Sequence, residues 1–119
     1  IRKNIPSEWR VRDCRREMFH LGDSAAICVA HLDRIPTTEA ELMKYRWGTF
    51  SIFYTVWSSE KGFGRKIIEE TKTLLQGQHF NNRYITMSPK TEMATKFHLK
   101  NGAILLQENQ TTNNFEYKS

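Results

Sequence analysis

The central stretch of the sequence is FSIFYTVWSSEKGFGRKII, residues 50–68. Its first part, residues 50–57, is nearly continuously apolar, aromatic and β-branched. Such a run predicts a strand that is buried on both faces and lies centrally in a sheet covered by helices. The second part has glycines at positions 62 and 64 and leads into an apolar pattern with helical spacing, which we expect to continue to about Gln76. The stretch thus predicts a strand, a glycine turn and a helix in succession.

A β-hairpin is predicted upstream of this stretch. Residues 9–21 alternate in character, residues 25–32 form a short apolar run, and the Leu-Gly-Asp-Ser sequence between them is typical of a turn. If the turn centres on Gly22 and Asp23, the predicted cross-strand pairs are Cys14 with His31 and Met18 with Ile27.

The remaining segments add two helices and three strands. Thr38 and Glu41 form a capping box at the start of a short helix, residues 38–47. Thr91 caps another helix over residues 92–100, whose inward side we expect to include Met93. Strands are predicted at residues 84–87, 103–107 and 114–117. This mixed order favours a single α/β (α+β mixed) domain over residues 1–119, with helices on both faces of the sheet.

Composition limits the classes of function. The chain has 119 residues, of which 39% are hydrophobic and 12% aromatic, so it is long and apolar enough for a globular domain with its own core. No apolar run approaches the roughly 20 residues of a membrane span. Two cysteines and no recognisable secretory signal favour a reducing, cytoplasmic location. The net charge of +5 favours a polyanionic partner such as a nucleic acid, an acidic membrane or a phosphate-rich cofactor.

The glycine turn is the segment most suited to bind a ligand. Gly62 and Gly64 let the backbone approach a ligand closely, and the first turn of the following helix offers unpaired N–H groups at the positive end of its dipole. Lys61, Arg65 and Lys66 add positive charge at the same end. This combination favours a phosphate or a diphosphate as the ligand. The spacing matches neither the P-loop of nucleotide-binding proteins nor the dinucleotide fingerprint.

Two segments resemble motifs of the GNAT superfamily of acetyl-CoA-dependent acetyltransferases. Residues 59–68, SEKGFGRKII, are similar to its motif A, Gln/Arg-x-x-Gly-x-Gly/Ala, with Ser59 in place of the Gln or Arg. Residues 91–103, TEMATKFHLKNGA, are similar to the helix of its motif B, commonly Ala-x-x-Phe-Tyr-x-Lys-x-Gly-Phe. The matching residues of motif B are Ala94, Phe97, Lys100 and Gly102, whereas His98 replaces the Tyr and Ala103 replaces the final Phe.

The resemblance covers residues 11–117 and implies a GNAT-like, mainly antiparallel sheet without the family's first strand and first two helices. It implies an N-acyltransferase that uses acetyl-CoA or another acyl-CoA and transfers the acyl group to an amine. Since the missing helices normally help to bind the acceptor, we expect helix 38–47 or the second subunit of a homodimer to take part of their place. The stretches SPKTEMA and FHLKNGA are also similar to short phage-encoded proteins, which implies the host cytoplasm as the location.

The resemblance also assigns the candidate site residues. The pantetheine arm of the cofactor is expected to pair with the strand before the glycine turn, with Tyr54 and Val56 as its amide contacts. His98, at the place of the family's general acid, is expected to protonate the leaving thiolate, since an imidazole with a pKa of about 6.5 can do so near neutral pH. The diphosphate is expected on the N–H groups of Lys61, Gly62, Phe63, Gly64 and Arg65.

A second class of function stays open beside the enzyme. Ser59, His98, Ala103 and the missing N-terminal elements favour a GNAT-like module that has lost catalysis and binds a protein or a nucleic acid. In that case His98 is a core histidine on an apolar helix face.

Metal binding and nucleic-acid binding are both less favoured by the sequence. The cysteines and histidines at positions 14, 20, 28 and 31 do not have the spacing of a structural zinc site, so no metal is expected. The arginines between positions 10 and 16 alternate along a predicted strand and would point to both of its faces. Most aromatic residues lie in buried runs, so they are not available to stack on bases.

Overall fold

The structure is a computed structural model that describes residues 16–78 and 83–118. The part of the first predicted strand that precedes Arg16, with Cys14, lies outside these residues. The strands are β1 Arg16–Leu21, β2 Ala25–Leu32, β3 Phe50–Ser58, β4 Arg83–Thr86, β5 Ser88–Pro89, β6 Ile104–Glu108 and β7 Thr112–Tyr117. The helices are α1 Glu39–Lys44, α2 Phe63–Gln78 and α3 Glu92–Lys100.

The seven strands form one sheet in the order β1-β2-β3-β4-β7-β5, with β6 paired to β7 as well. Every pairing is antiparallel except that of β3 with β4, which is parallel. Between these two strands, α2 returns the chain to the end of the sheet at which β3 begins, so β4 runs in the same direction as β3. The prediction of a mixed, mainly antiparallel sheet is confirmed, and so is the central position of β3.

A core lies on each face of the sheet. On one face Ile68 and Leu75 of α2 pack with Phe53 of β3, and Phe97 of α3 lies against the same cluster. On the other face Leu42 of α1 packs in a cluster with residues of β2, β3 and β4. The predicted placement of helices on both faces is therefore confirmed.

The β1–β2 hairpin is present, but its register is one residue away from the predicted one. Met18 pairs with Cys28 rather than with Ile27. The turn has three residues, 22–24, instead of the two that a centre at Gly22 and Asp23 implies. A one-residue slip places every side chain of a strand on the opposite face, so the difference decides which residues enter which core.

Both predicted N-caps are confirmed. Thr38 Oγ1 accepts from the Glu41 N–H and Thr91 Oγ1 from the Ala94 N–H, each at 3.1 Å. The Glu41 carboxylate, however, accepts from the backbone N–H and the hydroxyl of Thr37, each at 2.8 Å, instead of from the cap residue. The hydrogen bond from the Thr37 backbone lowers the pKa of Glu41.

Helix ends and two side chains differ from the prediction. α1 ends at Lys44, because Tyr45 already has extended backbone. α2 continues through Gly77, since a glycine weakens a helix interior by only about 1 kcal/mol and does not stop it. Leu74 and Met93, which the helical pattern places inward, are 40% and 82% exposed.

Asn114 is a fully buried amide that joins three parts of the chain. Its Nδ2 donates to the carbonyl of Thr86 at 2.8 Å and to that of Pro36 at 3.1 Å. Its Oδ1 accepts from the side-chain amides of Gln107 and Asn109. The end of β4, the segment before α1 and the β6–β7 turn are thereby fixed to one another.

Replacing Asn114 with Ala should destabilise the fold. The change removes the donors of two carbonyl groups, so we expect the free energy of unfolding in urea to fall by about 2–4 kcal/mol. The exposed Gln76→Ala is the control and should change the same quantity by less than about 0.5 kcal/mol. Equal stability of Asn114→Ala and the wild type would contradict this account of the amide.

Candidate functional site

The sheet opens between β3 and the end of β4. The two strands pair as far as Phe53 and Thr86, and the Met87 N–H then donates to the Phe53 carbonyl at 3.1 Å. Beyond this bond the chain enters β5, which pairs with β7. In the described chain, residues 54–58 of β3 therefore have no strand partner on that side, and their backbone groups face a gap.

An extra residue in β3 accounts for the opening. Phe53 pairs with Val29 and Thr55 with Cys28, so Tyr54 lies between these pairs without a partner on β2. Such a bulge bends a strand and increases its twist, which turns β3 away from β4 directly after Phe53. The prediction that β3 is buried on both faces is therefore correct only for residues 51–53, whereas its second half is partly or fully exposed.

A cavity of about 470 Å³ occupies the gap on the sheet face that carries α2 and α3. This volume is in the range of small-molecule sites. The described residues that line the cavity include no aspartate, glutamate, lysine or arginine. Its walls include Tyr54, Val56, Met87, Ala94, Phe97 and His98. An apolar cavity bordered by unpaired strand backbone fits an extended, uncharged ligand with amide groups.

The glycine turn places positive charge beside this cavity. Gly62 has a positive φ of 95°, which only a glycine adopts without strain, and its carbonyl accepts the Lys66 N–H at 3.1 Å as α2 begins. Gly62, the residue before α2, has no side chain and therefore cannot cap this helix in the way that Thr38 and Thr91 cap α1 and α3. The first turn of α2 contains no acidic residue. The N–H groups of this turn and the cationic side chain of Arg65 thus lie at the positive end of the helix dipole.

Gly64 has a structural role that the sequence pattern did not indicate. A Cβ at this position would lie 2.9 Å from Cζ of the Phe97 ring. The glycine therefore allows the start of α2 to pack directly against α3. We predicted Gly64 as a point of close approach to a ligand, and the structure gives it a packing partner on the wall of the cavity.

His98 is a buried histidine on the cavity wall. Its Nδ1 lies 2.7 Å from the hydroxyl of Tyr117, and its ring contacts the rings of Phe97 and Phe115. Burial lowers the pKa of His98 to about 4, and burial also raises the pKa of Tyr117. Both groups are therefore uncharged near pH 7. The simplest assignment has Tyr117 donating to Nδ1 and the ring hydrogen on Nε2.

Tyr54 lines the cavity and also packs on the opposite face of the sheet. Its ring belongs to the cluster on the α1 side, and the Arg16 guanidinium lies 5.4 Å from the ring centroid. Burial raises the pKa of Tyr54 to about 12, so its phenol is protonated at neutral pH. The residue thus forms an uncharged wall at the gap.

The predicted site residues fall into two groups. Tyr54, Val56, Gly64 and His98 line the cavity, whereas the remaining residues predicted to bind the diphosphate belong to the adjacent turn and the start of α2. Sequence reasoning missed the wall that is formed by the segment from Met87 to Pro89. The break at Ser88-Pro89 directly after a buried strand is the signal that could have indicated it.

Three further observations complete the description of this part of the chain. Among the described residues, no three His, Cys, Asp or Glu side chains lie close enough together to hold a metal ion. No helix in the same part of the chain is long and apolar enough to cross a bilayer. Cys28 is buried and takes part in no disulfide within the described residues.

No protein family and no curated protein matches the sequence, but solved structures resemble this chain, and three of them are described here. A malonyl-CoA decarboxylase from Agrobacterium vitis is 16% identical with a TM-score of 0.71, and the match covers 98% of this chain and 55% of the decarboxylase. A GNAT-family acetyltransferase from Listeria monocytogenes is 7% identical with a TM-score of 0.66, and the match covers 94% of this chain and 69% of the acetyltransferase. A malonyl-CoA decarboxylase from Cupriavidus metallidurans is 20% identical with a TM-score of 0.54, and the match covers 83% of this chain and 32% of that decarboxylase.

These likenesses concern the fold. The chain spans about half the length of the first decarboxylase and about a third of the second. The acetyltransferase matches nearly the whole of this chain, including its sheet and helices. The described chain therefore has a GNAT-like fold, a mixed α+β domain with a mostly antiparallel seven-stranded sheet and three helices.

Proposed function

We propose that this chain binds an acyl-CoA in the gap between β3 and β5 and transfers its acyl group, in the first place acetyl, to an amine. The observation that carries the proposal is the unpaired backbone of β3 at residues 54–58, which borders the cavity. The pantetheine arm of CoA is an extended chain with two amide groups, so it can pair with a free strand edge as an added strand does. Tyr54 and Val56 are the residues we propose for these contacts.

The diphosphate of CoA has a matching place beside the cavity. The N–H groups at the start of α2 and the side chains of Lys61 and Arg65 supply hydrogen bonds and positive charge. The glycine turn adjoins the cavity at Gly64, which lines it. A ligand with an apolar, amide-containing arm and an anionic end therefore fits the two features together.

The reaction needs positioning more than strong acid or base catalysis. The amine nitrogen attacks the thioester carbonyl carbon, the C–S bond breaks, the sulfur leaves as a thiolate and takes up a proton, and the nitrogen loses one. Because His98 is uncharged at neutral pH, we propose that its Nε2–H acts as a hydrogen-bond donor toward the reacting thioester. In this proposal His98 donates a hydrogen bond as a neutral imidazole, whereas its ordinary pKa had led us to expect a charged imidazolium that protonates the thiolate.

The similar structures support the CoA part of the proposal. Two are malonyl-CoA decarboxylases and one is an acetyltransferase, so a CoA thioester is the chemistry that they have in common. Acetyl-CoA as the particular donor, the amine acceptor and His98 as a catalytic residue are our proposals. A cytoplasmic location, a phage source and a homodimer stay predictions from the sequence.

A catalytically inactive module that binds a partner is the second candidate. The observation that favours it is the burial of His98 and its hydrogen bond to Tyr117, an arrangement that also suits a purely structural histidine. The two candidates differ in one measurement, since only the enzyme releases free CoA thiol from acetyl-CoA when an amine is added.

Binding of acetyl-CoA should stabilise the protein. At about 100 times its Kd the ligand adds about 2.7 kcal/mol to the free energy of unfolding, which a thermal scan detects as a higher Tm. Ala94→Trp fills the cavity and should abolish the rise. Lys96→Trp, on the exposed side of the same helix, is the matched control and should keep it. An unchanged Tm of the wild type with millimolar acetyl-CoA, CoA and malonyl-CoA would remove the proposal.

Charge reversal at the glycine turn should weaken CoA binding selectively. We expect Lys61→Glu with Arg65→Glu to raise the Kd for acetyl-CoA about tenfold or more, because two favourable charges become repulsive. Acetyl-pantetheine, which lacks the diphosphate, should bind the variant as it binds the wild type. Lys100→Glu on α3 is the control for net charge. Calorimetric titration that shows equal losses for both ligands would argue against a diphosphate at this turn.

Substitutions of His98 should separate hydrogen-bond donation from packing. Gln places an amide N–H near the position of Nε2, so His98→Gln should keep turnover within about tenfold of the wild type. His98→Ala removes the donor and should lower turnover by about a hundredfold with the affinity for acetyl-CoA retained. Equal turnover of His98→Ala and the wild type would show that His98 serves the core alone.

A further inference from the structure

A second cavity of about 440 Å³ opens at the same gap. It shares Tyr54, Met87, Ser88 and Pro89 with the first cavity, but its other walls are Glu39 of α1 and the start of β7. Since α1 packs on one face of the sheet and α2 and α3 on the other, the two cavities meet at the gap from opposite faces. A ligand in the second cavity therefore reaches the same point between the strands as one in the first.

The second cavity has both polar and apolar walls and carries one charge. Its lining includes the hydroxyl side chains of Ser88, Thr111 and Thr112, and among its described lining residues Glu39 alone is charged. Arg16, which lies on the same face, contacts the Tyr54 ring and does not line the cavity. In a chain with a net charge of +5, this cavity thus presents an anionic group.

The backbone that carries Glu39 is fixed to the far wall of the cavity. Thr112 Oγ1 donates to the Thr37 carbonyl at 2.6 Å, and Asn114 Nδ2 donates to the Pro36 carbonyl. Thr38 then caps α1, of which Glu39 is the first residue. These bonds hold the carboxylate on a short, anchored segment at the rim of the cavity.

We propose that the second cavity binds the acceptor, and that the acceptor is a small amine with a second cationic group, which pairs with Glu39. This inference rests on the proposed function, since it places the acceptor opposite an acyl-CoA. The reacting nitrogen forms a bond to the acyl carbon and loses a proton, while the carbon–sulfur bond breaks and the thiolate takes up a proton. The second cationic group takes no part in the chemistry and serves recognition.

The test compares three acceptors with four carbon atoms each, 1,4-diaminobutane, butylamine and 4-aminobutyrate, whose far ends are cationic, uncharged and anionic. With acetyl-CoA as donor, the wild type should show a kcat/KM for diaminobutane that is at least about fivefold above that for butylamine, and aminobutyrate should be poorest. Glu39→Gln should remove the preference for the diamine, and Glu39→Lys should reverse it in favour of aminobutyrate.

Glu92→Lys is the matched control, because Glu92 is also the first residue of a helix capped by a threonine and lines neither cavity. It should keep the wild-type order of acceptors. The Tm rise with acetyl-CoA should persist in all Glu39 variants. If the wild type binds acetyl-CoA but uses the three amines equally or prefers aminobutyrate, the acceptor inference is wrong while the proposed function stands.

If acetyl-CoA does not bind at all, the proposed function fails and the cavity is tested directly. Diaminobutane should then still shift the amide NMR signals of Ser88, Thr111 and Thr112 in the wild type and not in Glu39→Gln. The absence of such shifts, or equal shifts in both proteins, overturns the inference on its own.

Discussion

The β-bulge at Tyr54 is the constraint on which the candidate site depends. Without the extra residue, β3 would continue alongside the chain that follows β4, and the sheet would close over the gap. With it, β3 bends away after Phe53, and the last backbone bond between the two strands is that from Met87. Phe53 and Tyr54 are consecutive strand residues and therefore belong to clusters on opposite faces, so both cores extend to the edge of the opening.

Except for the two-residue strand β5, which was not predicted, the order and type of the elements could be predicted because their signals are local. Thr38 and Thr91 identify helix starts by their own side chains, and an apolar run such as that of β3 identifies a strand without reference to its partner. Pairing is not local. The hairpin register depends on whether its turn has two or three residues, and the bulge depends on the alignment of β3 with Val29 and Cys28.

The same distinction explains what the sequence missed in the site. The proton affinity of His98 is set by burial among Phe97, Phe115 and Tyr117, of which the last two follow it by more than fifteen positions. The need for glycine at position 64 comes from the Phe97 ring on another helix. The motif resemblance placed Gly64 and His98 in one site. Only the three-dimensional packing shows that Gly64 allows α2 to contact α3 and that burial keeps His98 neutral.

The opening between β3 and β5 would have a kinetic consequence for the proposed acyl transfer. If the donor occupies the first cavity and the acceptor the second, neither has to arrive before the other, because they bind on opposite faces of the sheet. Initial-rate plots at several fixed concentrations of the second substrate then give intersecting lines, and each product inhibits competitively against the substrate that uses its own side.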